Sequence, residues 1–359
     1  MAVDSINEMD ELTVKDLNVV VTDDLEYLYS RREQIRRLSL LAAPPCLYVS
    51  YEFVWAHLNV FPNKTRLIYF IYHGVELVGF TAIASREGAD DVFQFAAQTC
   101  LGYSGVLAAV GMESVVVKAF LEDIAGRSSM ISLFDTGPIR EGGAQLFSSI
   151  TEEVFGARAK VHAMTGAPYI QTSSDFFDWK STLKKAAYKD SVRAERRLVE
   201  AGSVESFVID NRSSVGDIET AVNVFFTLHL KRREGSYFGA NQAAYDPKLM
   251  REFYLRLAVS AAESGIFELS FLTLNKRPIA AHFGFIQNHW RYYFTPAYDP
   301  EYGNLSPGKV LMRKLIEASF QNGDVFDFQN DMDVYKLDWS NNVANRYWIR
   351  IPLTEKYRV

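Results

Sequence analysis

The sequence predicts an α/β (α+β) protein of two tandem domains, each a mixed, mostly antiparallel sheet flanked by helices. Three observations predict it. The chain has 359 residues, 48% hydrophobic and 23% charged, an ordinary globular composition with length enough for two cores. TRLIYFIYHGVELVGFTAIAS and FELSFLTLNKRPIAAHFGFI each hold two apolar runs split by a short turn, His73–Gly74 in one and NKRP in the other, the pattern of a tight hairpin. Each hairpin follows a helical stretch and precedes a third strand-like run, DVFQFAAQTC or HWRYYFTPAY, and then a helix. That shared order reads as an internal duplication, although the two copies have little identity.

In chain order, residues 1–22 show little periodicity and are expected to form a mobile arm, followed by domains over 23–172 and 173–359. From Asp24, residues Leu25, Leu28, Ile35, Leu38 and Leu41 recur at helical spacing until Pro44 and Pro45; a second helix is expected from Tyr51 to Val60. Between the halves, DFFDWKSTLKKAAYKDSVRAERRLVEAG reads as one long helix with a left-handed cap at Gly202. Lys185, Lys189, Arg193 and Arg197 recur every four residues along it and form a basic stripe. Such a stripe is either a solvated face or a surface for phosphate, carried by a cofactor, a transfer RNA or an anionic membrane.

Charge and cysteine usage exclude several classes. A net charge of −6 argues against a general nucleic-acid binder, and no DNA partner is expected. Cys46 and Cys100 are too few for a disulfide framework and lack zinc-site spacing, so no metal is expected. No run approaches the roughly 18 to 20 apolar residues of a membrane span, and the start, MAVDSINEMDELTVKDL, is acidic and polar. A cytoplasmic protein is expected, with the inner face of the membrane as a surface it can meet. The aromatic content of 14% fits either filled cores or a cleft for an apolar substrate.

The segment GNLSPGKV, residues 303–310, departs from the nucleotide-binding pattern G-x-x-x-x-G-K-[ST] at its last position, where Val310 cannot ligate magnesium. Pro307 also removes one amide from the cradle, so a triphosphate site is excluded. What remains is a helix start: Ser306 fits the N-cap, Pro307 the first helical position, and Leu311, Leu315 and Ala318 have helical spacing. Free amides there, with close approach at Gly308, suit a phosphate or pyrophosphate; an ordinary capped helix is the other reading. Downstream, VFDFQNDMDVYKLDW holds a short strand, Val325 to Phe328, with Phe326 and Phe328 on one face.

NKRPIAAHFGF, YYFTPAYDPEYGNLSPGKVLMRKLIEASFQNGDVFDF and DVYKLDW together resemble the GCN5-related N-acetyltransferase (GNAT) superfamily. The nearest branch is that of two-domain acetyltransferases associated with cellulose biosynthesis, related to Fem-type aminoacyl transferases. The likeness is strongest over residues 175–348 and looser over 25–170. It implies transfer of an acyl group from a coenzyme A thioester to an amine. It places the donor's arm between two splayed strands, residues 292–297 and 325–328, and its pyrophosphate at Asn304, Ser306, Gly308 and Lys309. Ser306 stands where the family pattern Q/R-x-x-G-x-G/A has its middle glycine. Lys336 resembles a lysine that assists with the donor in Fem-type enzymes.

Attack by an amine needs a base, and His282, on the same strand face as Gly284, is the first candidate. Asp327 is the second, as base, as partner of an imidazole, or as the anchor of a turn. Tyr293 and Tyr298 are candidates for a general acid or for the acceptor pocket, and His229 and Arg232 for an acidic group of the acceptor. The expected function is acyl-CoA-dependent N-acyl transfer, by direct attack, to a small or lipid-linked primary amine. Aminoacyl-tRNA-dependent transfer is the first alternative. The second is a non-catalytic accessory protein of an exopolysaccharide or lipid pathway that has kept the fold.

Overall fold

The structure, a computed structural model, describes residues 12–42, 46–61, 65–97, 102–173, 175–183, 185–234, 246–330, 332–340 and 342–357. Pro44, Pro45, Cys100 and the start of the expected arm lie outside the described residues. The chain divides into two compact units, Met1–Met164 with Asn345–Val359, and Thr165–Ala344.

In the first unit the elements run β1 (Leu17–Thr22), α1 (Leu25–Ser30), α2 (Arg32–Leu41), α3 (Tyr51–Val60), β2 (Arg66–His73), β3 (Glu76–Arg86), β4 (Ala89–Phe95), β5 (Leu107–Ala108), α4 (Glu113–Gly126), β6 (Leu133–Arg140) and α5 (Gly143–Phe155). The chain then passes through β7 (Lys160–Ile170) into the second unit. There it forms α6 (Phe176–Thr182), α7 (Lys185–Ala201), β8 (Val204–Asp210), α8 (Val215–Glu234), α9 (Pro247–Glu263), β9 (Phe267–Leu274), β10 (Arg277–Gln287), β11 (Trp290–Tyr298), α10 (Pro307–Asn322), β12 (Val325–Asp327) and α11 (Val334–Leu337). The last strand, β13 (Asn342–Pro352), returns to the first unit.

The first sheet has the order β1-β2-β3-β4-β6-β13, with β5 beside β3; every neighbouring pair is antiparallel except β4 and β6. The second has the order β8-β9-β10-β11-β12-β7, and β11 with β12 is its parallel pair. The two orders are the same: a four-stranded antiparallel meander, a helix, a fifth strand parallel to the fourth, and a sixth antiparallel to the fifth. Topology thus carries the duplication that the element order suggests. Both hairpins turn tightly. Asn275 and Lys276 adopt φ of 51° and 65°, as a two-residue turn between β9 and β10 requires, and Arg277 and Pro278 already belong to β10.

The apolar runs are continuous because each sheet is covered on both faces. Along β2, Ile68, Phe70 and Tyr72 enter one core with α1–α3, while Tyr69 and Ile71 enter another with α4 and α5. In the second unit, Trp179, Leu198, Leu311, Leu315, Phe326 and Trp339 form one core. Phe225, Tyr254 and Phe283 meet on α8, α9 and β10 with ring centroids 5.0 to 5.3 Å apart. Filling these cores is where most of the large aromatics go; Phe53, Phe70, Phe80, Phe93, Phe120, Phe134 and Phe225 are wholly buried.

Four expectations are corrected. Residues 17–22 are not arm but β1, paired with β2 along its length, because Leu17, Val19 and Val21 pack on the core. The second domain does not run to the C-terminus: Ile349 and Ile351 of β13 are buried in the first unit's core. The long helix after Asp175 is two helices, because Leu183 is extended (φ −68°, ψ 150°) at the end of α6. Gly202 follows α7 for a different reason from a left-handed cap: a Cβ there would lie 2.3 Å from Asn275 Oδ1, which accepts from the Ser203 amide.

Candidate active site

The site is built where β11 and β12 part. β12 is three residues long and pairs with Trp290, Arg291 and Tyr292; beyond that point β11 continues to Tyr298 with β10 on its other side. The edge of β11 from Tyr293 onward therefore opens onto a cavity of about 280 Å³. Tyr293, Pro296, Ala297 and Tyr298 supply its strand wall, Ser306, Pro307, Gly308, Lys309 and Met312 its helix wall, and Arg232 reaches it from α8.

The helix wall depends on a short relay. Asp299, buried at the end of β11, accepts from Lys231 and Arg277, each at 2.9 Å, and from the Glu301 amide at 3.2 Å. Burial alone would raise the Asp299 carboxyl; the Lys231, Glu301 and Arg277 hydrogen bonds outweigh it and hold the group below the usual range. Asp299 thereby caps the 3-10 turn Pro300–Leu305, which delivers the chain to Ser306. Ser306 adopts φ 54°, ψ 50°, makes no side-chain cap, and is followed by Pro307 at the first position of α10. This left-handed backbone is one that glycine adopts without strain, and it stands where the GNAT pattern carries glycine. At Gly308 a Cβ would come no nearer than 3.8 Å to Tyr298 Cδ1, so the backbone is bare toward the cavity.

Among the expected site residues, the structure brings Tyr293, Tyr298, Arg232, Ser306, Gly308 and Lys309 together around this cavity. Asn304, His282, Asp327, Lys336 and His229 are not among its lining residues. Asn304 is exposed on the 3-10 turn. His282 lies behind Tyr293: the rings stack at 4.5 Å with an interplanar angle of 8°, and the histidine is buried with neither ring nitrogen hydrogen-bonded. Burial, helped by the charge of Arg291, pushes its imidazole down to about 3, so at neutral pH it is an uncharged ring. Gly284 leaves room not for a ligand but for His282 itself, since a Cβ there would lie 2.2 Å from His282 Cε1. Asp327 is fully buried and accepts from the Gln329 amide at 2.7 Å, anchoring the bend at which Gln329 takes φ 65°. The Lys336 ammonium donates to the Asn330 carbonyl and lies 3.5 Å from Asp333. His229 sits among Phe225, Phe226 and Tyr254, and burial, with Arg233 and Arg232, lowers its imidazole to about 4.

Arg232 donates to the Pro296 carbonyl, and its guanidinium lies 5.6 Å from the Tyr298 ring centre, so it closes one end of the opened strand. Burial raises the Tyr293 phenol well above its ordinary range, so it stays protonated. Of the lining residues that the sequence did not mark as candidates, Tyr335, Asp338 and Trp339 are the ones with polar or aromatic side chains. Their signal was present in VYKLDW, because positions i, i+3 and i+4 share one face of a helical turn. That face, not the one bearing Lys336, meets the cavity. Among the described residues no cluster of three or more His, Cys, Asp or Glu could hold a metal ion, and no helix is long and apolar enough to cross a membrane.

The family model described as "Acetyltransferase (GNAT) domain" matches residues 185–337, less than half of the chain. No curated protein matches the chain. Among solved structures the chain is similar to FemX, with TM-score 0.59 and 9% identity over 89% of this chain and 95% of that one. It is also similar to L-PGS from Bacillus licheniformis, with TM-score 0.56 and 10% identity over 92% of each chain. A conserved protein of unknown function from Bacteroides thetaiotaomicron VPI-5482 aligns with TM-score 0.56 and 12% identity, over 93% of this chain and 100% of that one. At these identities the likeness is one of fold. Residues 185–337 thus match a GNAT domain, and the chain as a whole has the two-unit GNAT-like fold that these structures share.

Proposed function

We propose that the protein is an acyl-CoA-dependent N-acyltransferase acting on a primary amine by direct attack. The observation that carries this reading is the parting of β11 from β12 after Tyr292, which opens a cavity reaching the first turn of α10. The donor supplies a thioester carbonyl when bound. Gly308 and Lys309 suit its phosphates, because a helix start offers an amide and a favourable dipole to an anion and Lys309 adds a positive charge. The acceptor, a neutral amine once its ammonium proton has passed to water, bonds to the acyl carbon as the carbon–sulfur bond breaks. The excess proton on the new amide nitrogen goes to the departing thiolate, and Tyr293 on the cavity wall is placed to relay it, taking one proton as it gives one. His282, stacked behind Tyr293, fixes that ring rather than acting as the base. Arg232 and Tyr298 face the acceptor.

On this reading, acetyl-CoA or a longer acyl-CoA at 100-fold its dissociation constant stabilises the protein by about 2.7 kcal/mol, a rise of about 4 °C in melting temperature if the chain unfolds as one and about 7 °C if the binding unit unfolds alone. No shift with any acyl-CoA rejects it. A second reading, an aminoacyl-tRNA donor, is favoured by α7, where Lys189, Arg193, Arg196 and Arg197 are exposed on the helix whose Ala187 lines the cavity. A shift with charged tRNA and none with acyl-CoA would select it.

A further inference from the structure

The duplicated topology gives the first unit a counterpart of the place where β11 and β12 part. There β4 pairs with β6 only at Val92, Phe93 and Gln94 and ends at Phe95, while β6 continues to Arg140. The chain itself fills the gap beyond. The Ser104 amide donates to the Pro138 carbonyl at 2.7 Å, the Ser104 hydroxyl donates to the Thr136 and Pro138 carbonyls, and Leu107–Ala108 pair with β3 as β5. Beside this segment lies a chamber of about 120 Å³. Its apolar walls are Val106 and Leu107, Val117 of α4, Ile139 of β6, and Leu146 and Phe147 of α5. Among its described lining residues the charged ones are Arg140, Glu141 and Glu113. The Arg140 guanidinium lies 5.3 Å from the Tyr103 ring centre, Glu141 accepts from Asn345, and Glu113 stands in the first turn of α4. Glu141 and Gly143 are exposed, and the chamber meets solvent beside them.

We infer that this chamber binds a short alkyl group that carries no anionic head. Apolar walls keep such a space dry, and a dry cavity of about 150 Å³ takes one benzene, so this one holds about four to six carbons. A cavity left empty forfeits contacts that an apolar guest restores. Charge selects against an anion. The first turn of α4 carries Glu113 where the first turn of α10 carries Lys309, so a carboxylate of the chain already meets the helix dipole and repels a phosphate or a second carboxylate. The alkyl group has two sources of the same chemistry: a free short-chain molecule, or the end of a longer chain whose remainder leaves past Glu141 and Gly143. The inference stands on the first unit alone and does not rest on the transferase reading of the second.

The test uses the full chain. Calorimetric titration compares 1-butanol, 1-pentanol, 1-hexanol, 1-decanol and hexanoate on the wild type and on Val117→Phe and Leu146→Trp, which fill the chamber from α4 and α5. Affinity is expected to rise about fourfold per carbon from butanol to hexanol. Hexanoate is expected to bind about tenfold or more weakly than hexanol, because its charge must be desolvated beside Glu113. Hexanol binding should fall about tenfold or more in whichever filled variant keeps the wild-type circular dichroism. A measurement on methyl-labelled wild type needs no variant: bound hexanol should give nuclear Overhauser effects to the Ile139 and Leu146 methyl groups. Decanol binding at least as tightly as hexanol supports the end of a longer chain, and weaker decanol a free short-chain molecule. The inference is overturned by affinity that does not grow with chain length, by hexanol binding unchanged in a folded filled variant, by hexanoate binding as tightly as hexanol, or by effects that reach only methyl groups outside the chamber. No thioester enters the titrations, so their outcome is separate from that of the proposed function.

Discussion

Ser306 shows how one residue's backbone carries more information than its side chain. A non-glycine residue in the left-handed region bears a penalty of about 1 kcal/mol or more, while glycine there has none but loses more chain entropy on folding. Ser306→Gly is therefore expected to raise stability by about 0.5 to 1 kcal/mol, measured by urea denaturation, and to leave the acyl-CoA thermal shift in place. A destabilised variant would mean that the serine hydroxyl contributes more than the backbone costs. His282 makes the opposite case. Its residue type invited a catalytic reading, but its burial and its stack on Tyr293 make it a packing group. His282→Phe should keep turnover, and loss of turnover in a folded variant would restore the histidine as base.

At the scale of elements, β10 depends on a missing side chain. A Cβ on Gly284 would meet His282 Cε1 at 2.2 Å and the Tyr292 carbonyl at 3.0 Å, beside the irregularity between Phe283 and Phe285. Gly284→Ala should cost about 1 to 3 kcal/mol through overpacking and push His282 against Tyr293, lowering activity as well as the denaturation midpoint. An unchanged midpoint would show that the strand can shift to absorb the methyl group. α11 carries the complementary lesson. Its single turn was legible as a helical segment, but which face met the cavity was not, since VYKLDW offers Lys336 and the Tyr335–Asp338–Trp339 face equally well. The choice comes from packing: Trp339 is buried against Trp179 and Tyr188, and this turns Asp338 toward the cavity and Lys336 toward Asn330.

For the whole molecule, three histidines set a common response to acid. Burial lowers His57 and His282 to about 3, and burial with nearby arginines lowers His229 to about 4. Unfolded imidazoles titrate near 6.5, so below that pH the unfolded chain binds protons that the folded chain does not. The associated stability is complete above about 6.5 and is lost as pH falls toward the folded values, at about 1.4 kcal/mol per pH unit for each group. Urea midpoints measured from pH 7.5 to 5 should fall accordingly, and His282→Phe should flatten the slope by one histidine's share. A slope unaffected by that substitution would place the acid response elsewhere.

What the sequence by itself determined was local or periodic: the two hairpins, the repeated order of elements, the helix beginning at Pro307, and the family likeness that these carry. Each is written in neighbours a few residues apart, where turn geometry and hydrophobic spacing act directly. The tertiary structure alone decided that β13 returns to complete the first unit's sheet, that His282 is sealed behind Tyr293, and that Asp338 rather than Lys336 faces the cavity. These outcomes depend on burial against residues distant in sequence, such as Trp179 against Trp339, and burial decides which polar side chains remain available for chemistry.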